Sequence, residues 1–156
     1  MPPISPKGDA MNRKRIVIGG IAAGLVVFAV DALASVLFLM QRYRSLAQGG
    51  VYHEKPRLPF YPVWVLIALG IGLGLAWLYA SVRPRLGPGP GTAALLGLVV
   101  GLMIYTPGNV ATFAWTHEGG FVALVRLVAG VIGSVVGALV AGAIYKEESL
   151  AGAPGP

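Results

Sequence analysis

The chain has 156 residues, of which 56% are hydrophobic and only 12% charged, with a formal net charge of +6 and no cysteine. An ordinary soluble domain carries about 25% charged residues, so this chain cannot cover a globular surface with polar groups, and its mean hydropathy of +0.74 points to lipid. The missing cysteines exclude disulfides, thiol chemistry and thiolate metal sites, and the length allows one domain.

The hydrocarbon core of a bilayer is about 30 Å thick, so a spanning helix needs about 20 largely apolar residues. Residues 1–10 form a small Pro- and Gly-containing tail, expected to be disordered. The first span is expected over 16–40, directly after Arg13-Lys14-Arg15. A basic cluster, an apolar run and Ala32-Leu33-Ala34 resemble a cleavable signal. The apolar run continues past Ala34 to Met40, which favours an uncleaved helix. The second span is expected over 62–82, with Pro62 suited to a first turn. The turn Arg83-Pro84-Arg85-Leu86-Gly87-Pro88-Gly89-Pro90-Gly91 should then stop the helix and form a tight hairpin. The third span is expected over 92–115 and the fourth over 120–145, closed by Lys146-Glu147-Glu148. A disordered tail at 149–156 completes a transmembrane domain covering 11–148. Lipid offers the backbone no hydrogen bonds, so the spans are helices, and short loops make them an all-α, antiparallel bundle of four transmembrane helices.

With the N-terminus inside, Lys7, Arg13, Lys14, Arg15, Arg83, Arg85 and Lys146 lie on the cytoplasmic side, seven against five for Arg42, Arg44, Lys55, Arg57 and Arg126. That asymmetry favours both termini in the cytoplasm. Basic residues in short flanks suit lipid headgroups, with Arg83 and Arg85 as named contacts, and speak against nucleic acid. The Gly-rich turn lacks a following Lys-Ser/Thr, and its prolines remove donors, which disfavours nucleotide binding.

Helices in lipid associate through small residues that let backbones approach. Gly20 and Gly24, Gly70 and Gly74, Gly97 and Gly101, and Gly133 and Gly137 are the candidates, one pair per span. Such faces serve packing within the chain, homo-oligomerisation or docking onto a larger membrane complex.

Asp31 is a carboxylate in an otherwise apolar run, and near a helix centre it costs about 2.5–3.5 kcal/mol unless partnered, hydrated or protonated. By rise per residue, Arg126 falls at a similar depth, about 9 Å inside the fourth span. Tyr105, Asn109 and Thr112 occupy the same half of the third span around Pro107-Gly108, which should kink that helix or free carbonyls. One intramembrane cluster is therefore expected: Asp31 paired with Arg126, with Asn109 and Tyr105 completing the bonds. It fixes helix register, or it lines a proton or small-solute pathway. In a third arrangement, Arg126 snorkels outward and Asp31 holds a proton. His53-Glu54 and His117-Glu118 are adjacent pairs without ligand spacing, so they read as solvated loop residues, with no metal and no cofactor expected. No GxSxG element exists and no second carboxylate joins Asp31, so an enzyme is not expected.

MNRKRIVIGGIAAGLVV at 11–27, LYASVRPRLGPGPGTAALLGL at 78–98 and GSVVGALVAGAIYKEE at 133–148 resemble a group of uncharacterised bacterial four-helix membrane proteins. The likeness covers most of 11–148 and is most specific at RPRLGPGPGTA. It implies the fold, an inner-membrane location and Met11 as the natural start, and it carries over no functional residues. The expected role is thus a non-enzymatic scaffold or accessory subunit in the bilayer, the alternative being a transporter or channel subunit built on Asp31 and Arg126.

Overall fold

The computed structural model describes residues 12–53, 55, 56 and 58–145. Its helices are α1 (Arg13–Ala34), a π-helical segment Ser35–Leu39, α2 (Met40–Gln48), α3 (Phe60–Leu86), α4 (Pro90–Trp115) and α5 (Gly120–Ile144). Among the described residues, four stretches are long and apolar enough to cross a membrane: Arg13–Gln48, Phe60–Leu86, Pro90–Trp115 and Gly120–Ile144.

The first two helical stretches run past the expected 16–40 and 62–82, whereas α4 and α5 match the expected 92–115 and 120–145 to within two residues. Asn12 caps α1 by accepting a 3.0 Å bond from the Arg15 amide. The first helical stretch then continues through the π segment to Gln48, 36 residues in all. That is about 54 Å, well beyond the hydrocarbon thickness, so α2 projects past the lipid core. The π turn adds a residue to the ladder and rotates the remainder of the helix, which brings Leu39 and then Leu46 onto the buried side. Gly49 ends α2, and the amides of Val51 and Tyr52 both donate to the Leu46 carbonyl, folding the chain back.

The tight turn is shorter than its Pro/Gly run suggests. α3 continues through Pro84 to Leu86, and α4 begins at Pro90, a first-turn position where the missing N–H has no intrahelical role. Only Gly87-Pro88-Gly89 remains, with positive φ of 83° at Gly87 and 141° at Gly89. Thr92 Oγ1 donates to the Gly87 carbonyl and the Gly89 amide donates to the Tyr79 hydroxyl, which fasten the turn to both helices. α4 also runs unbroken through Pro107.

The four helices pack as an antiparallel bundle. α1 lies against α3 and α5, α4 rests on α5, and α3 and α4 touch sparsely despite their short connection. Glycines set the close approaches. A Cβ on Gly24 would stand 2.6 Å from the Leu69 Cα, and one on Gly20 2.8 Å from the Leu73 Cα. Across α4 and α5, a Cβ on Gly97 would meet the Ser134 carbonyl at 2.6 Å, and one on Gly101 the Val131 Cα at 3.0 Å. Gly137 faces the Ala23 carbonyl at 3.1 Å, and Gly133 sits more loosely, 3.5 Å from the Val27 Cα. Gly70 and Gly74 depart from expectation. Among the described residues, nothing lies within 4 Å of a Cβ on either, and the α3 residue that meets Gly20 and Gly24 is Gly72. Gly72 lies in phase with buried Ala68, Leu75, Ala76 and Tyr79, whereas Gly70 and Gly74 are out of phase with that face. The core accordingly mixes alanines with a few larger side chains, with Val27, Ala68, Leu75 and Ala138 at its middle.

Candidate functional site

Two polar clusters lie in the half of the bundle nearer α2. In the first, the Tyr105 hydroxyl donates to Asp31 Oδ2 at 3.2 Å. Tyr105 belongs to α4 and Asp31 to α1, which are separated by α5. The tyrosine crosses α5 at Gly130, where any Cβ would collide with its ring. Glycine at 130 is therefore the notch that lets the hydroxyl reach the carboxylate. Asn109 does not join this cluster. Its Nδ2 donates to the Tyr105 carbonyl at 2.8 Å, one turn back on its own helix. Thr112 contributes its carbonyl, which accepts the Thr116 hydroxyl at 2.7 Å where α4 ends.

The expected Asp31–Arg126 pair does not form. Arg126 points toward the α2 end and bonds through all three guanidinium nitrogens. Nε donates to the Tyr43 hydroxyl at 3.0 Å, Nη1 to Glu118 Oε2 at 3.0 Å and Nη2 to the Tyr52 hydroxyl at 3.1 Å. The Arg126 side chain is 35% exposed and that of Glu118 only 9%. The physical reason is proximity to the helix end. Arg126 lies within two turns of the α5 start, and its long side chain reaches polar groups outward more cheaply than it reaches a carboxylate deeper in the lipid.

The elements that hold this cage arise from the local chain. Leu39, Leu46 and Val122 form a small apolar cluster with Tyr43, Tyr52 and Val125 packed on it, which seats α2 over the end of α5. The return of the chain after Gly49 sets Tyr52 against Tyr43, with ring centroids 5.7 Å apart and planes inclined at 59°. Burial pushes the Tyr52 phenol well above its usual range, the neighbouring Glu118 carboxylate adds to this, and Arg126 opposes it. The hydroxyl thus keeps its proton at neutral pH. Glu118, expected to be a solvated loop residue, is instead a buried partner of Arg126. His53 and His117 are exposed, and Glu54 lies outside the described residues. Among the described residues no three His, Cys, Asp or Glu side chains gather as a metal set.

At the opposite end, the Arg83 guanidinium carbon sits 5.5 Å from the centre of the Tyr145 ring, and Arg85 is exposed. A cavity of about 260 Å³ opens there between Tyr79, Arg83, Pro88, Ala93 and Tyr145. Arg15 Nη1 reaches the Ile144 carbonyl at 3.4 Å, so the start of α1 and the end of α5 meet at this end. Sequence reasoning missed Tyr43, Tyr52 and Glu118. The available signal was Arg126 itself, an arginine near a helix start whose nearest carboxylate in the chain is eight residues earlier.

Apolar spans, internally bonded polar groups and glycine-set contacts define a polytopic α-helical membrane protein. No model of a known protein family, no curated protein and no solved structure matches the chain.

Proposed function

We propose that the protein is a non-enzymatic accessory or scaffold subunit of a bacterial inner membrane, one of the four-helix group it resembles, with both termini in the cytoplasm. The observation that carries this reading is how the membrane-level polar groups are used: each guanidinium nitrogen of Arg126 is bonded within the chain, and Asp31 is held by Tyr105. An open groove of about 630 Å³ and a cavity of about 260 Å³ lie at opposite ends of the bundle, and neither is lined by Asp31. Such an arrangement serves packing more directly than passage of a solute. The contact face for a neighbouring membrane protein is the Gly70/Gly74 side of α3, flanked by exposed Ile67 and Trp77. Leucine at Gly70 and Gly74 should leave the isolated protein folded and shift it from a complex to the monomer on native gels in mild detergent. An unchanged complex, or a monomer in both forms, would defeat the proposal.

A second reading has one specific support. Asp31 makes no ion pair among the described residues, and an intramembrane carboxylate without a cation is a candidate proton or cation site. Asp31→Asn should abolish ion flux in proteoliposomes with folding intact if this reading is correct. Wild-type vesicles that carry no flux would exclude it.

A further inference from the structure

A groove of about 630 Å³ lies where α2 leaves the lipid, lined by Phe38, Gln41, Arg42, Ser45 and Phe121. The first four occur at spacings of three, one and three, so they share one side of the helical stretch. Their order along the axis is chemically graded. Phe38 and Phe121 are 60% and 57% exposed and form the apolar part. Arg42 and Gln41 stand beyond them, about 5 Å along the axis from Phe38. An aromatic floor that passes into a guanidinium and an amide over such a distance matches the step from the upper acyl chains to the headgroup of a lipid.

Arg42 is available for a ligand in a way that Arg126 is not. Among the described residues, nothing hydrogen-bonds its guanidinium, and Glu118, which precedes Gly119 in the chain, is bonded to Arg126. Arg42 also leans over the start of α5: its Nη2 lies 3.4 Å from where a Cβ on Gly119 would stand. Gly119 provides no side-chain cap, so the guanidinium stands beside an uncapped helix start whose first two residues, Gly120 and Phe121, are exposed. Ser45 adds little, because its hydroxyl donates to the Arg42 carbonyl at 2.9 Å.

We propose that this groove binds one anionic phospholipid, its phosphate held by Arg42 and Gln41 at the start of α5 and its upper chains against Phe38 and Phe121. The proposal is independent of the scaffold role. Charge complementarity selects an acidic headgroup, and the apolar half selects a lipid over a soluble anion.

The test is native mass spectrometry of the full chain exchanged into detergent with phosphatidylglycerol or phosphatidylcholine. Wild-type protein should retain one phosphatidylglycerol in preference to phosphatidylcholine. Arg42→Gln should lower that retention about fivefold, the effect of one interfacial cation, with partial rescue by Arg42→Lys. Arg44→Gln, on the same short helix but outside the groove, should behave as wild type. Millimolar inorganic phosphate should not displace the lipid. Equal retention of both lipids, equal losses for Arg42→Gln and Arg44→Gln, or displacement by phosphate would each overturn the assignment.

Discussion

Replacing Glu118 by Gln keeps the shape of the side chain and removes the carboxylate bonded to Arg126. Exposed ion pairs contribute about 0.2–1 kcal/mol, whereas breaking a fully buried pair costs about 3–5 kcal/mol. This pair lies between those limits, because Glu118 is 9% exposed but Arg126 is 35% exposed. Arg126 also keeps its bonds to Tyr43 and Tyr52 in the variant. The expected loss is therefore about 1–3 kcal/mol. Arg126→Gln should cost somewhat more, since it leaves a carboxylate buried without its cation. In a double-mutant cycle the two changes should couple by about 1–2 kcal/mol. Asp31→Asn combined with Arg126→Gln should instead add within about 0.5 kcal/mol, because the two residues share no partner among the described residues. Reversible unfolding in mixed micelles, followed by tryptophan fluorescence, measures both cycles. A coupling above about 1 kcal/mol between Asp31 and Arg126, with none between Glu118 and Arg126, would refute the assignment of partners.

The same assay separates the glycines. Gly24→Ala drives a Cβ to 2.6 Å from the Leu69 backbone and should cost about 1–3 kcal/mol, while Gly70→Ala, with nothing near it among the described residues, should stay within about 0.5 kcal/mol. Tyr105→Phe removes the hydroxyl that reaches Asp31 and should cost about 0.6 kcal/mol, at most about 1.7 kcal/mol. Gly130→Ala should cost more than Tyr105→Phe, because it displaces the whole ring. Ser134 carries a buried hydroxyl with no hydrogen-bond partner among the described residues, so Ser134→Ala should be neutral or should stabilise by up to about 1 kcal/mol.

The four spans were legible because lipid demands long apolar stretches, and composition alone reveals those. The ends were not. Hydropathy falls at Met40, yet Gln41, Arg42, Arg44 and Ser45 continue the helix, which is seated by Leu46 and by contact with Val122. That contact is tertiary and leaves no mark on local hydropathy. Pro84 lies in the last turn of α3, where loss of one amide bond is tolerable, so the Pro/Gly run concealed another turn of helix. In the polar site, rise per residue placed Asp31 and Arg126 at similar depth, but Asp31 sits level with Gly130, about a turn further in than Arg126, and depth alone leaves open which way a side chain reaches. The choice of Gly70 and Gly74 failed for a related reason: four-residue spacing defines a stripe and leaves the direction it faces open.

Both membrane-level charges end up against tyrosine, and the chemistry of the phenol explains how one residue type serves opposite signs. A hydroxyl donates to a carboxylate and accepts from a guanidinium, without bringing another charge into lipid. Tyr105 does the first for Asp31, and Tyr43 and Tyr52 do the second for Arg126. The two bonds have different mechanical consequences. Arg126 ties α2 and its return loop to α5, elements already seated by Leu39, Leu46 and Val122. Tyr105 instead reaches from α4 to α1, and α4 is the least buried of the four spans, resting almost entirely on α5. Position of α4 relative to the rest therefore rests on the small-residue seam at Gly97 and Gly101, on the fastened turn at Gly87–Gly89 and on this bond to α1.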